Sequence, residues 1–369
     1  MNQFTASLWG DEAFSAVLSQ KSVPDIISII TRDTSPPLFN ILEHFWFKVF
    51  GTSEVSIRSL VFILFLVTIF FIYKIGAQLW DKMTGFLAAI LVLWGNRKVS
   101  ISLFKSFITI GILYIPWLIP LYQQTKIVGG GFWLGKPNLI DLRNLIYKYL
   151  AEGINNPLRE PALYLVGLIL IFRNWLRGPE KSFIIASWFL LPILLTWVVS
   201  QKFTPIFFER YLVYTAPAAM ILVSSEKGAV TKYLIALLIS LFLIIDFNYY
   251  THPTKRPFRE LAGYIMEVKR GDDYLINWNS SAHHLWESKY YGLNAPLYVP
   301  GNKELPFFVG TALMTKDDIL RSIPNKNGSI KTNRVGVITS GPVDEIMIAG
   351  YTKSEVKTFG ELKYVVFIK

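Results

Sequence analysis

The 369-residue chain contains no cysteine, which excludes disulfides, thiolate catalysis and cysteine-ligated metal. Charge is also scarce. Only 17% of residues are charged against 52% hydrophobic, and mean hydropathy is +0.38. Apolar content of that order, gathered into long runs, excludes an ordinary soluble enzyme and points to membrane spans. No GxGxxG or Walker pattern occurs, so nucleotide binding has no support. No zinc-finger or RNP-like spacing occurs either, and no nucleic acid partner is expected. Residues 1–10 lack a basic n-region and a long apolar h-region, so no cleavable signal peptide is expected. The four histidines, His44, His252, His283 and His284, are not spaced as a metal pair. No metal site and no required cofactor are expected, although an acidic loop can recruit a divalent ion weakly.

What the chain does have is a series of apolar runs. These lie at about 59–79, 101–122, 162–176, 182–200, 211–225 and 233–247. A further run at 84–95 is too short to cross ~30 Å of hydrocarbon as a helix. Basic residues flank the runs: Lys74, Lys82, Arg97 and Lys98, then Arg173, Arg177 and Lys181, then Lys227 and Lys232. Placing those loops inside puts residues 1–55, the loop 123–160, the loop 201–209 and the tail beyond 248 outside. The alternation closes for about six spans if 84–95 is re-entrant or interfacial. The net charge of +11 is then a property of cytoplasmic loops facing anionic lipid.

Beyond Asp246 the pattern changes. Phe258, Leu261, Ile265 and Val268 share one helical face, with Pro257 suited to the first turn and Gly271 to the stop. Short β-rich runs follow at 274–278, 296–299, 334–339 and 364–368, with helical patterns at 282–291 and 316–323 between them. Strands alternating with helices predict a small α/β domain with a partly parallel sheet. The expected organisation is therefore an extracytoplasmic acidic loop with short helices (1–55), an α-helical polytopic membrane domain (56–250) and a small soluble extracytoplasmic α/β domain (251–369).

Chemistry is concentrated in the first segment. Asp11 and Glu12 are adjacent, Asp33 follows some twenty residues on, and Arg58 stands at the mouth of the first long run. Carboxylates at the membrane boundary suit attack by an acceptor hydroxyl on a sugar held by a lipid phosphate: one carboxylate takes the proton and cations receive the departing phosphate. Their spacing equally allows solvated loop acids or helix caps. Lys202, Arg210 and Tyr211 sit at the outer mouth of a hairpin, where they either grip a lipid phosphate or anchor the interface. The stretch Gly129, Gly130, Gly131, Phe132, Trp133 either covers a sugar or lies on the bilayer.

Taken in order, Trp9, Asp11, Glu12, Asp33, Pro36, Pro37, Phe50, Gly51, Ser53, Glu54 and Arg58 make a set that resembles the first outer loop of PMT/ArnT-like multi-pass glycosyltransferases (glycosyltransferase family 39 and relatives, GT-C fold). The 116–120 segment, Arg210–Leu212 and Phe258–Glu260 resemble later parts of that family. The resemblance implies a polyprenyl-phosphate-sugar donor, a lipid, glycan or protein acceptor, an inverting single displacement and a multi-pass place in the plasma (inner) membrane among its lipids. It implies Asp11 as general base, Glu12 and Asp33 completing the acidic loop, and Arg58, Lys202, Arg210 and Tyr211 facing the donor phosphate and lipid. Ser35 stands where the family has histidine. Against that pattern the chain is expected to be shortened at the N-terminus and internally near Trp94–Arg97. The alternative is a non-catalytic family member acting as a lipid-binding or partner subunit.

Overall fold

The structure, a computed structural model, describes residues 2–33, 35–93, 117–129, 134–150, 157–172, 179–226, 228–252, 255–278, 283–301, 304–322 and 332–369. The junction at 94–98, most of the run 101–122, the loop positions 130–133, and Arg173, Arg177 and Lys227 lie outside the described residues. The chain divides into two compact units: Met1–Gln3 with Val61–Thr254, and Phe4–Leu60 with Lys255–Lys369. The N-terminal acidic segment and the C-terminal tail thus belong to one body.

The first helices are α1 (Gly10–Ser19), α2 (Val23–Ile30), α3 (Leu38–Phe50), α4 (Glu54–Leu79) and α5 (Lys82–Leu93). Among the described residues, three helices are long and apolar enough to cross a membrane: α4, Pro179–Lys202 and Ala229–Thr251. At 1.5 Å per residue each reaches roughly 35–39 Å, beyond the ~30 Å of a bilayer core. They fall on the expected runs 59–79, 182–200 and 233–247. The short run 84–95 becomes α5, a 12-residue helix. It closes on α4 through a glycine pair: a Cβ on Gly76 would stand 2.7 Å from the Gly85 Cα, and one on Gly85 would stand 2.4 Å from the Tyr73 carbonyl. Small residues at such a crossing let two backbones approach. Lys181 Nζ donates to the Leu79 carbonyl at 2.6 Å, meeting an orphan acceptor at the end of α4.

The expected span 211–225 is corrected. It is a short helix Glu209–Leu212, a 3-10 turn Val213–Thr215 and a nine-residue helix Ala216–Ser224. Pro217 has no N–H to continue a helix from upstream, so the second segment starts afresh with proline in its first turn. Every residue of Ala216–Ser224 is buried. Such complete burial is supplied by the helices around it and leaves no face of this segment for lipid. It packs against α5, Arg159–Ile171 and Pro179–Lys202, within one apolar core that includes Ile72, Leu91, Val166, Ile193, Met220 and Leu238.

The other unit is built on a six-stranded sheet of β1 (Tyr274–Trp278), β2 (Leu297–Tyr298), β3 (Ile319–Leu320), β4 (Arg334–Thr339), β5 (Thr352–Phe359) and β6 (Leu362–Ile368). Their order is β3-β2-β1-β4-β6-β5. The first four are parallel, and β6 and β5 close the sheet antiparallel. Both faces are covered, which is why β1, β4 and β6 read as continuous apolar runs. The helix Phe258–Val268 lays Phe258, Leu261 and Ile265 on the face bearing Leu275, Ile338, Tyr364 and Val366. Ile276, Val335, Val337, Val365 and Phe367 alternate onto the opposite face with Ile346 and Ile348. Two elements differ from expectation. The helical pattern at 316–323 is a 3-10 turn, Lys316–Asp318, leading into β3, because Thr315 and Asp318 close a capping box on so short a segment. β5 is almost entirely exposed and polar, so no apolar alternation marked it.

Candidate active site

Asp11 and Glu12 are consecutive in the first turn of α1, so their side chains leave the helix about 100° apart. The fold uses that angle to separate them. Glu12 turns inward, its Oε2 2.9 Å from Arg58 Nη2 and its Oε1 2.6 Å from Lys255 Nζ. It also accepts the Trp9 N–H at 2.9 Å, capping its own helix. Burial works to raise the Glu12 carboxyl, but the Arg58 hydrogen bond and the charges of Lys255 and Arg58 outweigh it and hold the group below its ordinary range. Lys255 is lowered by burial despite the pull of Glu12.

Asp11 turns outward, with 60% of its side chain exposed and Oδ1 3.6 Å from His283 Nδ1. Gly10 sets that approach. A Cβ there would stand 2.3 Å from the His283 Cβ, so α1 packs onto the 283–290 segment only because position 10 has no side chain.

Arg58 commits its whole guanidinium. Nε and Nη2 donate to Glu12, Nη1 donates to the carbonyls of Phe4 and Ala6 at 3.2 and 2.6 Å, and Nη2 also donates to the Ser7 carbonyl at 3.1 Å. All five N–H groups find acceptors. The sequence expectation gave Arg58 to a donor phosphate; in this structure it holds residues 4–7 and Glu12, with no N–H left over. A second clamp lies beside it. Arg259 Nε donates to Glu54 Oε1 at 2.8 Å and Nη2 to the Thr5 carbonyl at 2.8 Å. Tyr291 Oη donates to Glu54 at 3.0 Å and accepts the Leu8 N–H at 2.9 Å. Burial pushes the Tyr291 hydroxyl up to about 12, so it stays protonated as a donor. The extended segment before α1 is thereby gripped from residues 54–58 on one side and 255–291 on the other.

Behind α1 lies a third acid. Glu43, on α3, is fully buried, and its Oε2 accepts from Ser15 Oγ at 2.8 Å and Ser19 Oγ at 2.7 Å. Asn40 donates to the same two hydroxyls, and His44 Nδ1 donates to the Ser19 carbonyl at 3.0 Å. Glu43 Oε1 has no hydrogen-bond partner among the described residues. Desolvation raises the Glu43 carboxyl, the two serines offset part of that, and the charge of Glu12 adds to the rise. Asp33 is buried just after α2, where its N–H donates to the Ile30 carbonyl.

Asp11, Glu12, Asp33 and Arg58 all belong to this unit. Lys202, Arg210 and Tyr211 belong to the helical one, where all three are exposed. There Ser200 Oγ accepts from the N–H groups of Ile206 and Phe207, tightening the turn between helices, and the Arg210 guanidinium sits 5.8 Å from the ring centre of Phe208. Sequence reasoning missed Lys255 as a partner of Glu12, the Glu54–Arg259–Tyr291 clamp, Glu43 and His283. Of these, the Phe258–Glu260 motif was the available signal, since it carries Arg259. His284 is buried with both ring nitrogens bonded, Nδ1 to Glu287 at 2.6 Å and Nε2 to Ser340 Oγ at 3.1 Å. Among the described residues no cluster of three or more His, Asp or Glu is placed to hold a metal ion.

Residues 34–122 match the model of the dolichyl-phosphate-mannose-protein mannosyltransferase family. The matched stretch contains Glu43, Glu54 and Arg58; Asp11, Glu12 and Asp33 precede it. No curated protein and no solved structure matches the chain.

Proposed function

We propose that the chain is a polytopic membrane glycosyltransferase of GT-C type. It moves a sugar from a polyprenyl-phosphate donor to a hydroxyl of a lipid, glycan or protein acceptor on the extracytoplasmic side of the plasma (inner) membrane. The family match over 34–122 supports the reaction class. The observation that carries the assignment of roles is the division of the acidic pair. Glu12 is neutralised by two cations and held as a carboxylate of low basicity, whereas Asp11 stays at the surface on the same rigid turn. A general base must reach the proton it abstracts, and Asp11 is the member of the pair so placed. The acceptor hydroxyl gives its proton to Asp11, its oxygen bonds to the anomeric carbon, and the bond to phosphate breaks with inversion, releasing the polyprenyl phosphate. Lys202, Arg210 and Tyr211 remain the candidates for donor phosphate and lipid, Asp33 for support of the acidic loop.

The test is sugar transfer by the purified chain in lipid from a panel of polyprenyl-phosphate sugars. Asp11→Asn is expected to lose transfer on the order of 10²–10⁴-fold with unchanged melting, the range typical of general base removal. Full activity in Asp11→Asn would overturn the assignment. A second reading, a non-catalytic membrane subunit, is favoured by the complete commitment of Arg58 to protein acceptors; it predicts no transfer from any donor.

A further inference from the structure

The polarity of α3 is inside out for a helix in water. Its buried positions are Asn40, Glu43, His44 and Phe47. The three polar ones are engaged with α1 through Ser15 and Ser19. Its outward positions include Leu38, Leu42, Phe45 and Val49, exposed by between 42% and 73%. At 100° per residue these four fall in one narrow stripe, at i, i+4, i+7 and i+11, opposite the buried set. Lys48 is exposed at the edge of the stripe, its Nζ 5.3 Å from the centre of the Phe45 ring. A contiguous exposed apolar face marks a contact with protein or with membrane, and the neighbours of α3 along the chain select the membrane.

α3 leads straight into a helix long enough to span. Gly51, at φ +73°, turns the chain between α3 and α4. Trp46 Nε1 donates to the Ser56 carbonyl at 2.9 Å and ties α3 to the first turn of α4. With 26 residues α4 is about 39 Å long, more than the ~30 Å hydrocarbon core. The charged Glu54 and Arg58 keep its first turns at headgroup level, and α3 is held there with them. Its own 13 residues reach only about 20 Å, too short to cross. The stripe can therefore meet lipid only with the helix lying flat. An aliphatic and aromatic stripe, edged by a lysine whose stem follows it while the ammonium reaches phosphate, suits that position.

We propose that α3 is an in-plane interfacial helix, with Leu38, Leu42, Phe45 and Val49 seated in the bilayer surface. α1, bonded to its opposite face, then rides on the water side of α3, and the membrane sets the height of the acidic turn. The seating requires that α4 cross the membrane; it does not require glycosyl transfer.

Because the chain has no cysteine, single cysteines can be spin-labelled without background. Leu42→Cys, Phe45→Cys and Val49→Cys are compared with Ser354→Cys on the exposed strand β5, in the full chain in phosphatidylethanolamine–phosphatidylglycerol nanodiscs. EPR power saturation reads collisions with oxygen, which concentrates in lipid, and with a water-soluble nickel chelate. The three stripe labels are expected to collide several-fold more with oxygen than with the chelate, the Ser354→Cys label the reverse, all with wild-type melting. Chelate-dominated collisions along the stripe would place it in water and overturn the proposal. Labels shielded from both reagents would mean cover by protein, such as a second copy, and would overturn it equally. A lipid-facing stripe in a chain that transfers no sugar would sustain the proposal and leave the transfer reading to fall alone.

Discussion

In the helical unit, the buried helix Ala216–Ser224 meets its neighbours through uncharged side chains. In the other unit, residues 4–60 are tied to residues 255–369 through Glu12, Arg58 and Lys255 and through Glu54, Arg259 and Tyr291. Apolar packing is non-directional and tolerates repacking at conserved volume. A charged clamp is directional, and removing one member strands the others. One half of the molecule should therefore degrade gradually under substitution and the other abruptly.

The largest break is expected at Arg58→Ala. It leaves three backbone carbonyls and Glu12 without their donor at a site where the arginine side chain is only 11% exposed, and should cost about 3–5 kcal/mol. Thermal unfolding of the purified chain would read this, and Arg58→Lys should recover little, since an ammonium cannot reproduce the fork. Near-wild-type melting of Arg58→Ala would remove the contrast altogether. Leu222→Ala, in the buried helix, should cost about 2–5 kcal/mol by transfer and cavity terms. It sharpens the comparison in a second way, because its loss should be the same at pH 5 and pH 8.

Gly10→Ala tests the contact of α1 with His283. Alanine favours helix by about 1 kcal/mol over glycine, yet here overpacking should reverse the sign to a net loss of about 1–3 kcal/mol. A stabilised Gly10→Ala protein would mean the 283–290 segment yields. The smallest effect is expected at Glu43→Gln, and it is a gain. A carboxyl whose pKa is raised on folding contributes stability that is present below its ordinary value of 4.5 and lost as pH rises through the folded value. The neutral amide should thus stabilise by about 1 kcal/mol at pH 8 and flatten the pH dependence; a destabilised variant at pH 8 would refute the assignment of Glu43 as an uncompensated acid.

Much of the helical unit was legible because hydropathy is local: α4, Pro179–Lys202 and Ala229–Thr251 coincide with apolar runs. Ala216–Ser224 was read as a span because burial in protein and burial in lipid select the same residues. In the sheet, β1, β4 and β6 announced themselves through β-branched and aromatic runs, whereas β5 shows no apolar side to water and β3 has only two residues. The acidic loop was found, and the family resemblance singled out Asp11 as the base, but spacing alone did not separate it from Glu12, since adjacency along the chain hides the 100° between their side chains. Arg58 was assigned outward because three of its five hydrogen bonds go to main-chain carbonyls, which every sequence has and none displays. The pairing of Glu54 with Arg259 crosses 205 positions, and nothing in a single chain marks such a distance.

The double grip on residues 4–9 also orders events during synthesis. Those residues leave the ribosome before their partners, since Lys255, Arg259 and Tyr291 emerge roughly two hundred residues after Leu60, about 10–40 s later at usual elongation rates. For that interval the acidic segment has Arg58 but not its second set of partners, so it reaches its final form only after the intervening helices have been made.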